Sequence, residues 1–110
     1  MHALEIIKLV NDLPNNRVGW TFTNQIVRSG TSIAANYRAV CRAGSDKTFV
    51  HKLNIVFEEA DDTLFWLEMI EEAGVIDGDI DLEGLKKECN ELISIFVTSL
   101  KTVKKRIRNS

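Results

Sequence analysis

Ser45-Asp46-Lys47-Thr48-Phe49-Val50-His51-Lys52-Leu53, continuing through Val56-Phe57, Ala60, Leu64, Leu67 and Ile70 to Ala73-Gly74, decides the fold. Its large apolar residues recur at three to four positions, the period of a helix with one buried face. Ser45 can accept a hydrogen bond from a free backbone N–H of the first turn, and Gly74 suits the left-handed residue that ends a helix. Val75-Ile76 can then fold back on the last turn.

Working outward, the same period appears on both sides. Leu4, Ile7, Leu9, Val10 and Leu13 predict a short first helix, stopped by Pro14-Asn15-Asn16 because proline lacks the N–H a helix interior needs. Val18, Phe22, Ile26, Ile33, Ala34, Tyr37 and Val40-Cys41 predict a second helix over about residues 17–43. Gly30-Thr31-Ser32 interrupts it and predicts a bend or a close helix contact. Asp77-Gly78-Asp79-Ile80-Asp81 reads as an acidic turn, with Asp79 or Asp81 capping a fourth helix at the positive end of its dipole. Leu82, Leu85, Cys89, Leu92-Ile93, Phe96, Leu100, Val103 and Ile107 carry that helix forward. No alternating run with hairpin turns is present, so no strand is assigned.

Short connections between helices make antiparallel neighbours, so residues 1–110 read as one all-α domain, an antiparallel up-down-up-down four-helix bundle with a short first helix. Helices two to four are each about 40 Å long and helix one only about 18 Å. The first helix therefore leaves one end uncovered, the end that holds Ile33, Tyr37, Val40, Phe49, Leu53, Phe96, Leu100 and Val103. An upstream segment or another subunit is expected to fill that gap.

Charge is segregated along the chain. The net is −2, but residues 1–57 hold seven Lys/Arg and three Asp/Glu, residues 58–91 two and thirteen, and residues 92–110 five and none. A strongly basic whole, the mark of a nucleic-acid protein, is absent. No apolar run reaches the 18–20 or so residues of a membrane span, and the first residues carry no secretory signal pattern. Two cysteines make no disulfide framework. A cytoplasmic protein is expected.

Gln25-Ile26-Val27-Arg28-Ser29-Gly30-Thr31-Ser32-Ile33-Ala34-Ala35-Asn36-Tyr37-Arg38-Ala39 resembles the signature segment of a bacterial four-helix-bundle family. Its members include the proteins encoded by intervening sequences inside 23S rRNA genes, and the accessory protein of diversity-generating retroelements is a relative. Phe49-Val50-His51-Lys52-Leu53, Glu58-Glu59-Ala60-Asp61-Asp62-Thr63-Leu64-Phe65-Trp66-Leu67-Glu68 and Glu72-Ala73-Gly74-Val75-Ile76 are similar there too, so the resemblance spans about residues 4–105. Members of the family, the resemblance implies, usually carry an upstream first-helix segment, and this chain is expected to begin partway into that helix. The resemblance implies a left-handed bundle, a homo-oligomeric ring, often a pentamer, and no catalytic activity. The retroelement relatives bind a reverse transcriptase and nucleic acid but are markedly basic, unlike this chain.

Candidate constellations follow. Glu58 and Asp62 lie one turn apart, as carboxylate ligands do in di-iron bundles, but those need Glu-x-x-His on two helices. Neither His2 nor His51 follows a Glu by three, so no metal or other cofactor is assigned. Arg28 and Arg38 are instead expected to pair with Glu58, Glu59 and Asp62, within a subunit or between subunits. Asn36-Tyr37-Arg38 reads either as a core tyrosine with polar flanks or as a subunit contact. Cys41 and Cys89 read as buried small hydrophobes, Trp20 and Trp66 as core or interface anchors, and His51 lacks the partners of a catalytic triad. Lys101, Lys104, Lys105, Arg106 and Arg108 form the set able to contact phosphate. The expectation is a non-enzymatic, ring-forming scaffold with neither membrane nor small-molecule substrate. An RNA- or nucleoprotein-binding accessory factor using the basic C-terminal end is the alternative.

Overall fold

In the computed structural model, which describes residues 3–76, 78 and 80–109, four helices follow one another: α1 (Ala3–Asp12), α2 (Arg17–Cys41), α3 (Asp46–Ala73) and α4 (Leu82–Arg108). Helix α1 packs on α2, α2 on α3 and α3 on α4, the neighbour order of an up-down-up-down bundle. The rod measures 52 × 20 × 19 Å.

Side-chain caps fix the helix ends. The Asn16 carboxamide accepts from the Gly19 N–H, the Ser45 hydroxyl from Thr48 N–H, and the Asp81 carboxylate from Gly84 N–H. Each satisfies a donor that the first turn leaves without an intrahelical partner, worth about 1 kcal/mol. Gly74 sits at φ 63°, in the left-handed region, and its N–H returns to the Glu71 carbonyl. The α2 helix ends at Cys41, two residues before the expected boundary, with the Arg42 N–H bonded back to Ala39 and Val40. Asp79, the other candidate cap of α4, lies outside the described residues, as does Asp77 of the same turn.

Gly19 records a close approach of backbone to backbone. A Cβ on Gly19 would overlap the Pro14 carbonyl, so the first turn of α2 is pressed against the proline that ends α1. A Cβ on Gly30 would stand 3.9 Å from Cγ1 and Cγ2 of Ile6, an ordinary van der Waals contact. Since α2 runs unbroken through this point, the Gly30 signal marks the contact with α1.

The core divides where α1 ends. One cluster draws on all four helices: Ile6, Leu9 and Leu13, then Phe22 and Ile26, Leu67 and Ile70, Leu85 and Cys89. The second is built by three helices, from Ile33, Val40, Leu53, Val56, Ala60, Phe96 and Leu100. Complete burial of an aliphatic side chain such as Leu9, Ile26 or Leu67 stabilises by about 1.5–3 kcal/mol. The hydroxyls of Ser29 and Thr63 meet between α2 and α3, both fully buried and 2.8 Å apart. Thr63 Oγ1 is also 2.8 Å from the Glu59 carbonyl and Ser29 Oγ 3.4 Å from that of Ile26. Two hydroxyl protons thus serve these contacts, and neither group is left unsatisfied.

Candidate functional site

The absence of a fourth helix beside the second cluster leaves an apolar groove of about 800 Å³ between α2 and α4. Ile6 and Ile7 of α1 close one end; Val27, Ile33, Ala34 and Tyr37 form one wall, and Leu92, Ile95 and Phe96 the other. No residue of α3 lines it. Ile95 is 58% exposed, and Tyr37 is 50% exposed with its ring 6.3 Å from that of Phe96. Tyr37 therefore joins both readings of its segment: one face touches the core, the other lies open. On α3, which contributes nothing to the groove, Phe65 (51% exposed) and Met69 project outward. Trp66 backs this ridge, its ring 5.0 Å from Phe65 and 6.2 Å from Phe22. Trp20 is not a core anchor: it is 54% exposed, its indole N–H donating to Asn15 at 2.8 Å.

Of the two arginines expected to pair, one does so within the chain. Arg28 reaches Glu59 at 3.0 Å and Asp62 at 3.7 Å, tying α2 to α3. Arg38 and Glu58 are not brought together, and neither has an ion pair among the described residues. The antiparallel register explains this. With Arg28 opposite Glu59, Arg38 lies about 15 Å farther along α2, level with residues near 50, where α3 offers His51 and Lys52. Arg38 instead borders the groove.

Lys86 holds a pair that sequence reasoning missed, at 2.9 Å from both Glu71 and Glu83. Its hydrogen bond keeps the Glu83 carboxyl below the usual range, and the same contacts, first that to Glu83, raise the Lys86 ammonium. An i,i+3 spacing from Glu83 to Lys86 was the available signal.

The basic residues of the C-terminal stretch end up in larger company than the sequence order suggests. Arg106 bonds Asp46 at 2.6 Å, fixing the end of α4 beside the start of α3. The connection over residues 42–45 places the end of α2 there too. Arg38, Arg42, Lys47 and Lys52 therefore share one end of the rod with Lys101, Lys104, Lys105, Arg106 and Arg108. Dividing the chain at residue 57 had averaged these four with acidic residues nearer the N-terminus.

The cysteines separate. Cys89 is buried, and burial pushes its thiol up to about 11. Cys41 is exposed, contrary to expectation. Val40 takes the core position, and the next residue points about 100° away around the helix. Among the described residues, no three His, Cys, Asp or Glu side chains gather in a metal-ligating group, and no helix is long and apolar enough to cross a membrane.

Comparison with known proteins places these features in a family. A crystal structure of a protein from Bacteroides thetaiotaomicron, described as of unknown function and from the S23 ribosomal protein family, is 33% identical. It superposes with a TM-score of 0.79 over 90% of this chain and 91% of that one. No curated protein matches. Neither description names a reaction. The sequence pattern of the 23S rRNA-intervening sequence proteins matches residues 1–98, across α1, α2, α3 and most of α4, and the chain belongs to that family.

Proposed function

We propose that the chain is a non-catalytic scaffold that assembles into a homo-oligomeric ring in the cytoplasm. The observation that carries this reading is the open groove between α2 and α4. Apolar side chains that belong in a core face solvent there, with Ile7, Val27 and Ile95 all exposed. Contiguous exposed apolar surface of this kind marks a protein contact. The occupant is the Phe65–Met69 ridge of a second copy. Groove and ridge lie on different helices, so the contact is heterologous, and a heterologous contact closes into a ring when its rotation allows. Five subunits is the size that the family resemblance implies. The thiols of Cys41 and Cys89, neither in a disulfide, suit a reducing compartment.

Light scattering on a sizing column tests the assembly. A mass near five times 12.4 kDa is expected, and Ile95→Glu or Phe65→Glu alone should each yield monomer. Mixing the two variants in equal amounts should restore one productive contact, giving a species of two subunits and no larger. A monomeric wild type, or variants that assemble normally, would refute the groove-to-ridge contact.

A further inference from the structure

The end of the rod formed by α2, α3 and α4 carries nine Lys/Arg between residues 38–52 and 98–110 against one acid, Asp46, a net of +8. The rest of the chain then carries −10, since the whole is −2. Arg106 is engaged by Asp46. The other eight, Arg38, Arg42, Lys47, Lys52, Lys101, Lys104, Lys105 and Arg108, have no ion pair among the described residues. Of the five cations elsewhere, carboxylates answer two among the described residues, Arg28 and Lys86. We propose that this end binds the phosphate backbone of a nucleic-acid duplex, with the α2 and α3 cations acting together with those of α4.

Net charge does not oppose this. Exposed charges are screened over about 8 Å at physiological salt, and the rod is 52 Å long, so most of the acidic half lies beyond reach. A duplex presents one phosphate per about 1.7 Å of axis. Across an end 20 Å wide that is about a dozen phosphates, about half of them on the facing side. Other partners fit less well. A protein interface wants an apolar centre, and a membrane-inserting surface wants several large apolar side chains. Ile107 is the large aliphatic residue exposed at this end. Single strands are held by stacking on open aromatic rings, and the exposed ring in this region, Tyr37, lies against Phe96. The five C-terminal cations lie beyond the residues that match the family pattern, and the α2 and α3 cations lie within them.

The test is fluorescence anisotropy of the intact protein with a duplex RNA, a duplex DNA and a single strand of about 20 nucleotides, from about 50 to 200 mM KCl. With about five phosphates neutralised, log K should fall against log salt with a slope of about −4.5 for a duplex. Arg42→Ala with Lys47→Ala, far from the C-terminal stretch in sequence, should weaken binding at least tenfold and make the slope shallower by about 1.8. Lys8→Ala with Lys87→Ala changes net charge equally at exposed positions outside this end and should change neither. Circular dichroism confirms folding of both pairs, and repetition with Ile95→Glu separates binding from assembly. The two duplex arms tell RNA from DNA, and preference for either supports the proposal. It is overturned by no duplex binding at 50 mM, by tighter binding of the single strand, by equal losses from both double variants, or by polyglutamate competing as well as duplex at equal charge.

Discussion

Ser29 and Thr63 show what a single buried pair contributes. Each hydroxyl can also donate to a carbonyl of its own helix, Thr63 to Glu59 and Ser29 to Ile26. Removing one therefore loses the bond between helices without stranding its partner, and removing both leaves an apolar contact. Thr63→Val and Ser29→Ala should each destabilise by about 0.5–1.5 kcal/mol, and the double variant by less than their sum, as read from urea unfolding. The two cysteines make a sharper pair. At neutral pH the Cys89 thiol, held up at about 11 by burial, supplies almost no thiolate, the form that reacts. An aromatic disulfide reagent should titrate one thiol in the native protein, Cys41, and the second only after unfolding. Two fast thiols would show that the α4 seam opens readily. Neither hydroxyl pair nor cysteine exposure was legible in the sequence. A serine inside Arg28-Ser29-Gly30 looks like helix surface until α3 is placed against it, and adjacent residues such as Val40 and Cys41 share an apolar run while pointing in different directions.

Helices and their ends were far more legible, because caps are local chemistry. Ser45 and Gly74 act within one turn of themselves, so no tertiary information was needed to assign them, and Asp81 was one of two candidates for its cap. Gly19 is the contrast: a glycine in the first turn of a helix carries no local reason, and its reason is the carbonyl of Pro14. Gly19→Ala should therefore cost about 2 kcal/mol or more, beyond any gain in helix propensity. Gly74→Ala should cost about 1–2 kcal/mol, the ordinary penalty of a left-handed alanine. Thermal melts would resolve both, at about 4–8 °C per kcal/mol for a domain near this size. A Gly19→Ala protein as stable as wild type would show that the α1–α2 corner relaxes without loss. Arg38 finds no carboxylate within its own chain for a reason at this same scale. Opposite charges on neighbouring helices suggest a bridge, but axial level is set by the antiparallel register, which only the assembled helices define.

For the whole molecule, length arithmetic sufficed to place the end that α1 does not cover. Of the residues expected there, however, only Ile33, Tyr37 and Phe96 line the groove, and Val40, Leu53, Leu100 and Val103 are buried by the other three helices. Ten residues of α1 span about 15 Å against about 38 Å for the 25 of α2. The stretch of α2 beyond Gly30 had to lie without a fourth helix beside it. The polarity of charge was not legible in the same way, since chain order separates by about fifty residues cations that the bundle sets side by side. The Lys86 contact favours ionised Glu83, so its small contribution is present at neutral pH and is lost as pH falls through the carboxylate range. From the other side, it is lost as pH climbs through the raised Lys86 range.

The segregation of +8 from −10 along one axis makes the subunit a vector. Cyclic symmetry keeps every such vector pointing the same way, so a ring has a cationic rim and an anionic one, and like ends crowd at both. Repulsion along the rims then works against assembly. Mobile ions blunt repulsion at the rims while leaving the buried hydrocarbon contacts untouched. Raising KCl from about 50 to 300 mM should accordingly tighten the oligomer, opposite to the weakening that salt imposes on a charge-glued complex. Sedimentation velocity across that range reads the sign directly, and dissociation on adding salt would mean that the rods lie head to tail. A polyanion laid along the cationic rim would do at low ionic strength what salt does at high, so that cargo and ring would favour one another without sharing a single contact.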